Sequence, residues 1–219
     1  MHNKRLSSPK HYPIRRKETK YVSTIKGSRS SDNAIPVLLF LREVTGYAEN
    51  KKEAKKIIRD GQIYRNGERL RDIQEGVGVL DVIEIPETEE SFRVIKKNDK
   101  LSFVPVEDGE KVVTKIIDKR SEGDEYVYRL HNGENYHSDQ EFRTQNTLIF
   151  RDDSVKEVAL EENGKALVIE GGHAGEVADI NSIEDRGMNP DTARVESDYE
   201  FETRLENLVA IEDLQVNGQ

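Results

Sequence analysis

The sequence predicts an α+β, multi-domain chain: a small unit of two helices and a sheet, followed by β-rich, barrel-like structure. Three observations carry this. Helical periodicity occurs twice, both times between residues 32 and 61, and each stretch ends at a glycine, Gly46 or Gly61. Asn66-Gly67 follows at once between short β-like runs, a strong hairpin signal because both turn residues must reach positive φ. From residue 92 onward only short alternating runs appear, punctuated by Asp108-Gly109, Glu122-Gly123-Asp124, Asn132-Gly133 and Asn163-Gly164.

Composition bounds the function. The 219 residues hold 34 Lys and Arg against 43 Asp and Glu, for a net charge of −9, and 35% are charged. Cysteine is absent, which excludes a disulfide framework, an iron–sulfur cluster and any Cys-ligated zinc. The longest apolar run, Ile35 to Leu41, contains Pro36 and is far short of the roughly 18 residues a bilayer requires. No apolar stretch follows the first five residues, so the expectation is a soluble, cytoplasmic chain without membrane partners.

The charge is unevenly spread. Residues 1–30 carry +8, residues 31–80 carry +1 and the remainder −18. A gradient of this kind points the N-terminal end at a polyanion. The diffuse acidity elsewhere, without blocks of like charge, matches what keeps a protein soluble in concentrated salt, and implies a halophilic source.

The N-terminal segment, residues 1–31, reads as a basic arm. Lys4, Arg5, Lys10, His11, Arg15, Arg16, Lys17 and Lys20 are interleaved with Pro9, Pro13, Tyr12 and Tyr21. Two prolines so close forbid a continuous helix. With few apolar residues, the arm is expected to be extended or disordered until it lies along a nucleic acid, its cations on phosphates and its rings on bases. A solvated tail or an organelle transit peptide are the alternatives.

Residues 32–90 form the clearest unit. Asp32 or Asn33 is expected to cap a helix through Val37, Leu38, Phe40, Leu41 and Val44, with Pro36 in its first turn. A second helix starts at Asn50, with Glu53 at capping-box spacing, and stops at Gly61. On its wheel Ala54, Ile57 and Ile58 share an arc of about 100°, while Lys51, Lys52, Lys55, Lys56 and Arg59 occupy an opposite arc of about 140°. Charged helix faces are often merely solvated, but five bases without an acid make a cationic stripe. Gln62–Arg65, Glu68–Leu70 and Val79–Ile85 read as strands.

Residues 91–160 read as a β domain with strands at 92–95, 101–106, 112–117, 126–130, 147–150 and 155–160. Residues 161–212 read as a second β unit. Its first strand, Ala166–Ile169, runs into Gly171, Gly172 and Gly175, and strands at 176–180, 194–196, 199–203 and 208–211 follow. Residues 213–219 are left as a tail.

These residues carry resemblances. The order helix, basic helix, Gly61-Gln62-Ile63-Tyr64-Arg65-Asn66-Gly67, then Val79-Leu80-Asp81-Val82-Ile83, resembles the S4-type RNA-binding module. That likeness implies RNA contact by Lys51, Lys52, Lys55, Lys56, Arg59, Arg65, Asn66 and Arg69, and Arg42 of the first helix is added as a candidate. Ala166 to Ile180 resembles the KOW motif of small SH3-like barrels, with Gly175 at its characteristic glycine. That family often has Lys or Arg around the turn; here Glu170 and Glu176 flank it. The whole series, from Lys4-Arg5-Leu6-x-x-Pro9-Lys10-His11-Tyr12-Pro13 onward, is similar to the e-type small-subunit ribosomal protein four family of archaea and eukaryotes. The resemblance implies a structural, non-catalytic component of the small subunit, with rRNA and neighbouring ribosomal proteins as partners, no cofactor and no homo-oligomer.

Other chemistries find little support. The five histidines, His2, His11, His131, His137 and His173, form no metal-binding pattern, and His131 and His137, which straddle a turn, read as solvent-exposed side chains. Gly76-Val77-Gly78 lacks the third glycine and the following helix of a dinucleotide site, and a strand rather than a helix follows Gly175. Asp152-Asp153 is an isolated acidic pair. Two other functions remain: an RNA-modifying enzyme led by an S4-type module, and a transcription or RNA-processing factor using a KOW unit.

Overall fold

The computed structural model describes residues 3–15, 17–107, 109, 111–151, 154–212 and 214, so Arg16, Asp152-Asp153 and nearly all of the expected tail lie outside the described residues. The fold is mostly β with few helices and several separate sheets. It forms two compact units, one from residues 3–95 and 100–109, the other from 96–99 and 111–214.

In the first unit, β1 (Asn3–Lys4) pairs with β2 (Tyr21–Val22), and β3 (Ala34–Pro36) leads into α1 (Val37–Leu39), which continues as a π-helical turn, Phe40–Val44. The expected helix start is corrected here. Ile35 precedes a proline, which disfavours helical backbone, and Ala34–Pro36 instead pair with Gly76–Gly78 as a strand. Pro36 itself is the cap. The helix then buries Val37 through Leu41 on all sides, with Phe40 against Phe92 and Phe103 at 5.8 and 4.9 Å.

The second helix, α2 (Lys51–Asp60), follows the sequence closely. The Asn50 side chain accepts from the Lys52 and Glu53 amides, and Glu53 reaches back to the Glu49 amide. Gly61 ends the helix at φ +77. Then come β4 (Tyr64–Arg65), β5 (Glu68–Arg69), β6 (Gly76–Gly78), β7 (Val82–Ile85), β8 (Glu90–Lys97) and β9 (Lys100–Pro105). β5-β4-β7-β8-β9 make one sheet, and the Asn66-Gly67 turn has φ 52 and 78. The run expected from Val79 begins as a strand only at Val82, because Leu80 (φ 69) turns the chain and lets the Asp81 carboxylate accept from the Gly78 amide. Gly76 must be a glycine, since a Cβ there would lie 2.7 Å from Arg29 Cβ and 2.9 Å from Ile25 Cγ2.

The expectation of an unstructured arm is also corrected. Arg5, Ser8, His11, Tyr12 and Arg29 are buried. The Leu101 amide donates to the His11 carbonyl at 2.9 Å, and His11 Nε2 lies 3.1 Å from the Ala34 carbonyl. Apolar surface supplied by the rest of the unit, invisible in the arm's own composition, holds it.

The second unit holds two antiparallel sheets. One has the order β12-β11-β10-β13-β14, from β10 (Val112–Glu122), β11 (Glu125–Leu130), β12 (Asn135–Ser138), β13 (Thr147–Arg151) and β14 (Ser154–Val158). β12 went unread in the sequence because Asn135-Tyr136-His137-Ser138 has a single apolar residue. The other sheet has the order β18-β17-β16-β15-β19, from β15 (Lys165–Val168), β16 (Val177–Glu184), β17 (Thr192–Glu196), β18 (Glu200–Arg204) and β19 (Leu208–Ala210). Its core is Ala166, Val168, Ala178, Ile180, Ala193, Val195 and Leu208. Gly175, at φ +94, closes the β15–β16 turn where a Cβ would lie 2.5 Å from the Lys96 carbonyl oxygen.

Lys115 links these sheets. Its side chain is fully buried, and Nζ donates to the carbonyls of Leu205, Glu206 and Leu208 at 2.7, 3.2 and 2.6 Å. Its amide donates to His131 Nδ1, so that half-buried histidine is engaged rather than simply solvated. Burial pulls the Lys115 ammonium down from 10.5 to about 7, against the opposing charge of Glu206. Between those values the unfolded chain binds the extra proton, so stability is expected to rise as pH climbs from 7 toward 10.5. Urea titrations across that range should show the rise, and Lys115→Met should flatten it. An equally steep rise in the variant would assign it to other groups.

Candidate nucleic-acid interface

The apolar face of α2 fixes where its cations go. Ala54 and Ile58 are buried, Ile57 is half-buried, and Lys51, Lys52, Lys55, Lys56 and Arg59 are all exposed. This stripe forms one wall of an open groove of about 1030 Å³. Arg71, Asp72, Ile73 and Gln74 line it as well, together with Lys26.

That second side is held by backbone chemistry. The Glu75 carboxylate accepts from the Arg71 and Asp72 amides at 2.7 Å each, and Asp72 accepts from the Gln74 amide at 2.9 Å. Ile73 is buried, and its carbonyl accepts from the Leu38 amide. The Lys26 amide donates to the Gln74 carbonyl, which brings the N-terminal segment alongside. Seven cationic side chains thus line the groove against two acidic ones, Glu53 and Asp72. Glu53 is occupied in the helix cap, and Asp72 lies 3.7 Å from Lys26. The result is a concentrated positive field in an otherwise acidic chain. The sequence reading missed Lys26 and Arg71, whose signal was only that each is a base near a turn.

The structure divides the other expected contacts into surface and interior. Lys4, Lys10, Arg15, Lys17 and Lys20 are exposed; Arg15 is 3.2 Å from Glu18, and Lys20 sits over the Tyr21 ring at 5.4 Å. Arg69 is exposed, but it donates to the Arg59 carbonyl at 2.7 Å and braces the C-terminal end of α2. Arg42 is half-buried beside Glu43.

Arg5, His11 and Arg65 are buried rather than on the surface, and half-buried Asn66 is tied up in internal hydrogen bonds. Arg5, 1% exposed, makes a two-point contact with Glu43 at 3.0 Å for each bond. Arg65 donates to the Gly76 carbonyl at 2.7 Å. Asn66 donates to Asp81 at 2.7 Å and accepts from the Val82 amide at 2.8 Å. Asp81 is the hub: Arg29 also binds it through two bonds, of 2.8 and 2.7 Å. Arg29, Arg65 and Asp81 are buried in this network, and Asn66 is half-buried at its edge.

No family model matches the chain. It is similar over most of its length to small ribosomal subunit protein eS4 of Methanothermobacter thermautotrophicus, with 32% identity across 90% of this chain and 85% of the relative. The eS4 protein of Archaeoglobus fulgidus is 31% identical across 96% of this chain and 92% of the relative. Among solved structures, the 30S ribosomal protein S4e of Thermoplasma acidophilum matches with a TM-score of 0.69 and 22% identity. It covers 82% of this chain and 95% of its own, a likeness of fold.

Proposed function

The chain belongs to the eS4 family of small ribosomal subunit proteins, and from that premise we propose that it is a structural component of the small subunit that binds rRNA through the α2 groove. That role places it in the cytoplasm, on the ribosome. The observation that carries the site is the convergence of the α2 stripe with Lys26 and Arg71 on one open groove. Phosphate neutralisation by such a surface supplies affinity and positions a rigid protein on folded RNA. The exposed N-terminal bases, Lys4, Lys10, Arg15, Lys17 and Lys20, extend the cationic surface.

We read residues 32–90 as the S4-type module, supported by the Asn50 cap, the basic face of α2 and the Asn66-Gly67 hairpin. Residues 161–212 are read as a KOW-type barrel, supported by the five-stranded order and the glycine turn. The neighbours of the chain in this reading are other ribosomal proteins.

Replacing Lys52, Lys55 and Arg59 together with Glu should leave the fold intact, because all three are exposed. The wild-type chain should co-sediment with small subunits, and the triple variant should stay at the top of the gradient. Binding of the variant to rRNA in vitro should fall at least a hundredfold at low salt, with a salt dependence shallower by about 0.7–0.9 per lost phosphate contact. Normal incorporation of the triple variant would remove the groove from the RNA site.

A further inference from the structure

The C-terminal sheet carries an aromatic cluster outside the groove. His173, on the glycine turn, stacks on Phe201 with ring centres 3.9 Å apart and planes at 25°. Tyr199 sits edge-on to His173 at 5.5 Å, and its hydroxyl meets His173 Nδ1 at 2.8 Å. The Tyr199 side of the cluster stays open to solvent, with half the residue exposed.

Two further features adjoin it. β18 is an edge strand: it pairs with β17, and no other described strand lies beside it. Along β18, Glu200, Glu202 and Arg204 are exposed while Phe201 and Thr203 are half-buried. Glu176 and Asp198 lie near the Tyr199 hydroxyl, while Glu200 and Glu202 project from the other face of β18 to Phe201, toward Arg194 and Arg186. Those two arginines reach Glu200 and Glu202 as exposed pairs, which hold weakly. Partial desolvation, then Glu176 and Asp198, push the Tyr199 hydroxyl above its ordinary range, so the negative field reaches the ring.

We propose that the β18 edge and the Tyr199–His173–Phe201 cluster form a docking site for an extended, Arg- or Lys-rich protein segment. An open strand edge offers backbone hydrogen bonds to an added strand. Side chains of such a strand alternate with a period of two, so basic residues at every second position meet Glu200 and Glu202 on one face. The side chain at an intervening position then packs on the Tyr199 ring on the other face. The same carboxylates repel a polyanion, which favours a basic peptide over RNA.

The test uses the full chain and a fluorescent nine-residue peptide alternating Arg and Thr, read by anisotropy. A fluorescent uridine oligomer is the second probe. Tyr199→Ala and Glu200→Gln should each weaken peptide binding at least fivefold, while Glu122→Gln, at the exposed end of β10 in the other sheet, should change it less than twofold. Both β18-side residues are exposed, so thermal melting should stay within a few degrees. The proposal is overturned if Tyr199→Ala binds the peptide as well as Glu122→Gln does. It is overturned equally if Tyr199→Ala weakens binding of the uridine oligomer.

Discussion

Asp81→Ala is expected to be the most destabilising single substitution in the first unit. The carboxylate is 2% exposed, and it anchors Arg29, Asn66 and the Gly78 amide together. Its removal leaves the Arg29 guanidinium, on a side chain 3% exposed, without this ionic partner. Breaking a buried pair in this way typically costs about 3–5 kcal/mol, much of the roughly 5–15 kcal/mol that holds a domain folded. Urea unfolding at pH 7 measures the loss. Replacing both partners, with Arg29→Met and Asp81→Leu, removes the stranded charge and should recover most of the stability. Near-wild-type unfolding of the single variant would show that the pair does not anchor the fold.

The same pair sets an acid limit. Burial alone would raise the Asp81 carboxyl, but the hydrogen bonds and charge of Arg29, helped by Arg65 and the Gly78 amide, hold it below its ordinary 3.8. Its contribution is therefore complete above about pH 4 and lost as pH falls through the lowered native value. Glu43 behaves alike, held down first by its hydrogen bonds to Arg5.

Removing residues 1–20 is the second large effect. The arm buries Tyr12, whose hydroxyl burial pushes up to about 12, along with His11 and Arg5. Burial of one such ring is worth about 2–3 kcal/mol, so the truncated chain should melt about 4–12 °C below the full one. Tyr12→Ala in the intact chain should reproduce a large part of that drop. Unchanged melting in both would mean that the arm rests on the body without stabilising it.

Patterns confined to a few adjacent residues were legible in the sequence. The Asn50 cap, the Gly61 stop, the Asn66-Gly67 turn and the two-sided wheel of α2 each express a local rule, and the structure keeps all four. What depends on distant partners was not. Ile35 joins a strand because Val77 lies opposite, and Arg5 is internal because Glu43 receives it. Arg65 and Asn66 look like surface cations and turn residues until Asp81 is placed beside them. Composition misjudged the arm for the same reason: a segment poor in apolar residues can be ordered by a surface that it does not itself encode.

The arm's three anchors also set an order of events during synthesis. Arg5 waits for Glu43, Arg29 for Asp81 and the His11 carbonyl for the Leu101 amide. Residues that leave the ribosome early therefore cannot settle until the hairpin of β8 and β9 has followed them out. Such separated contacts close slowly. Through that interval the chain trails a loose, strongly cationic segment amid cellular polyanions, and completing the sheet is what withdraws His11 from them.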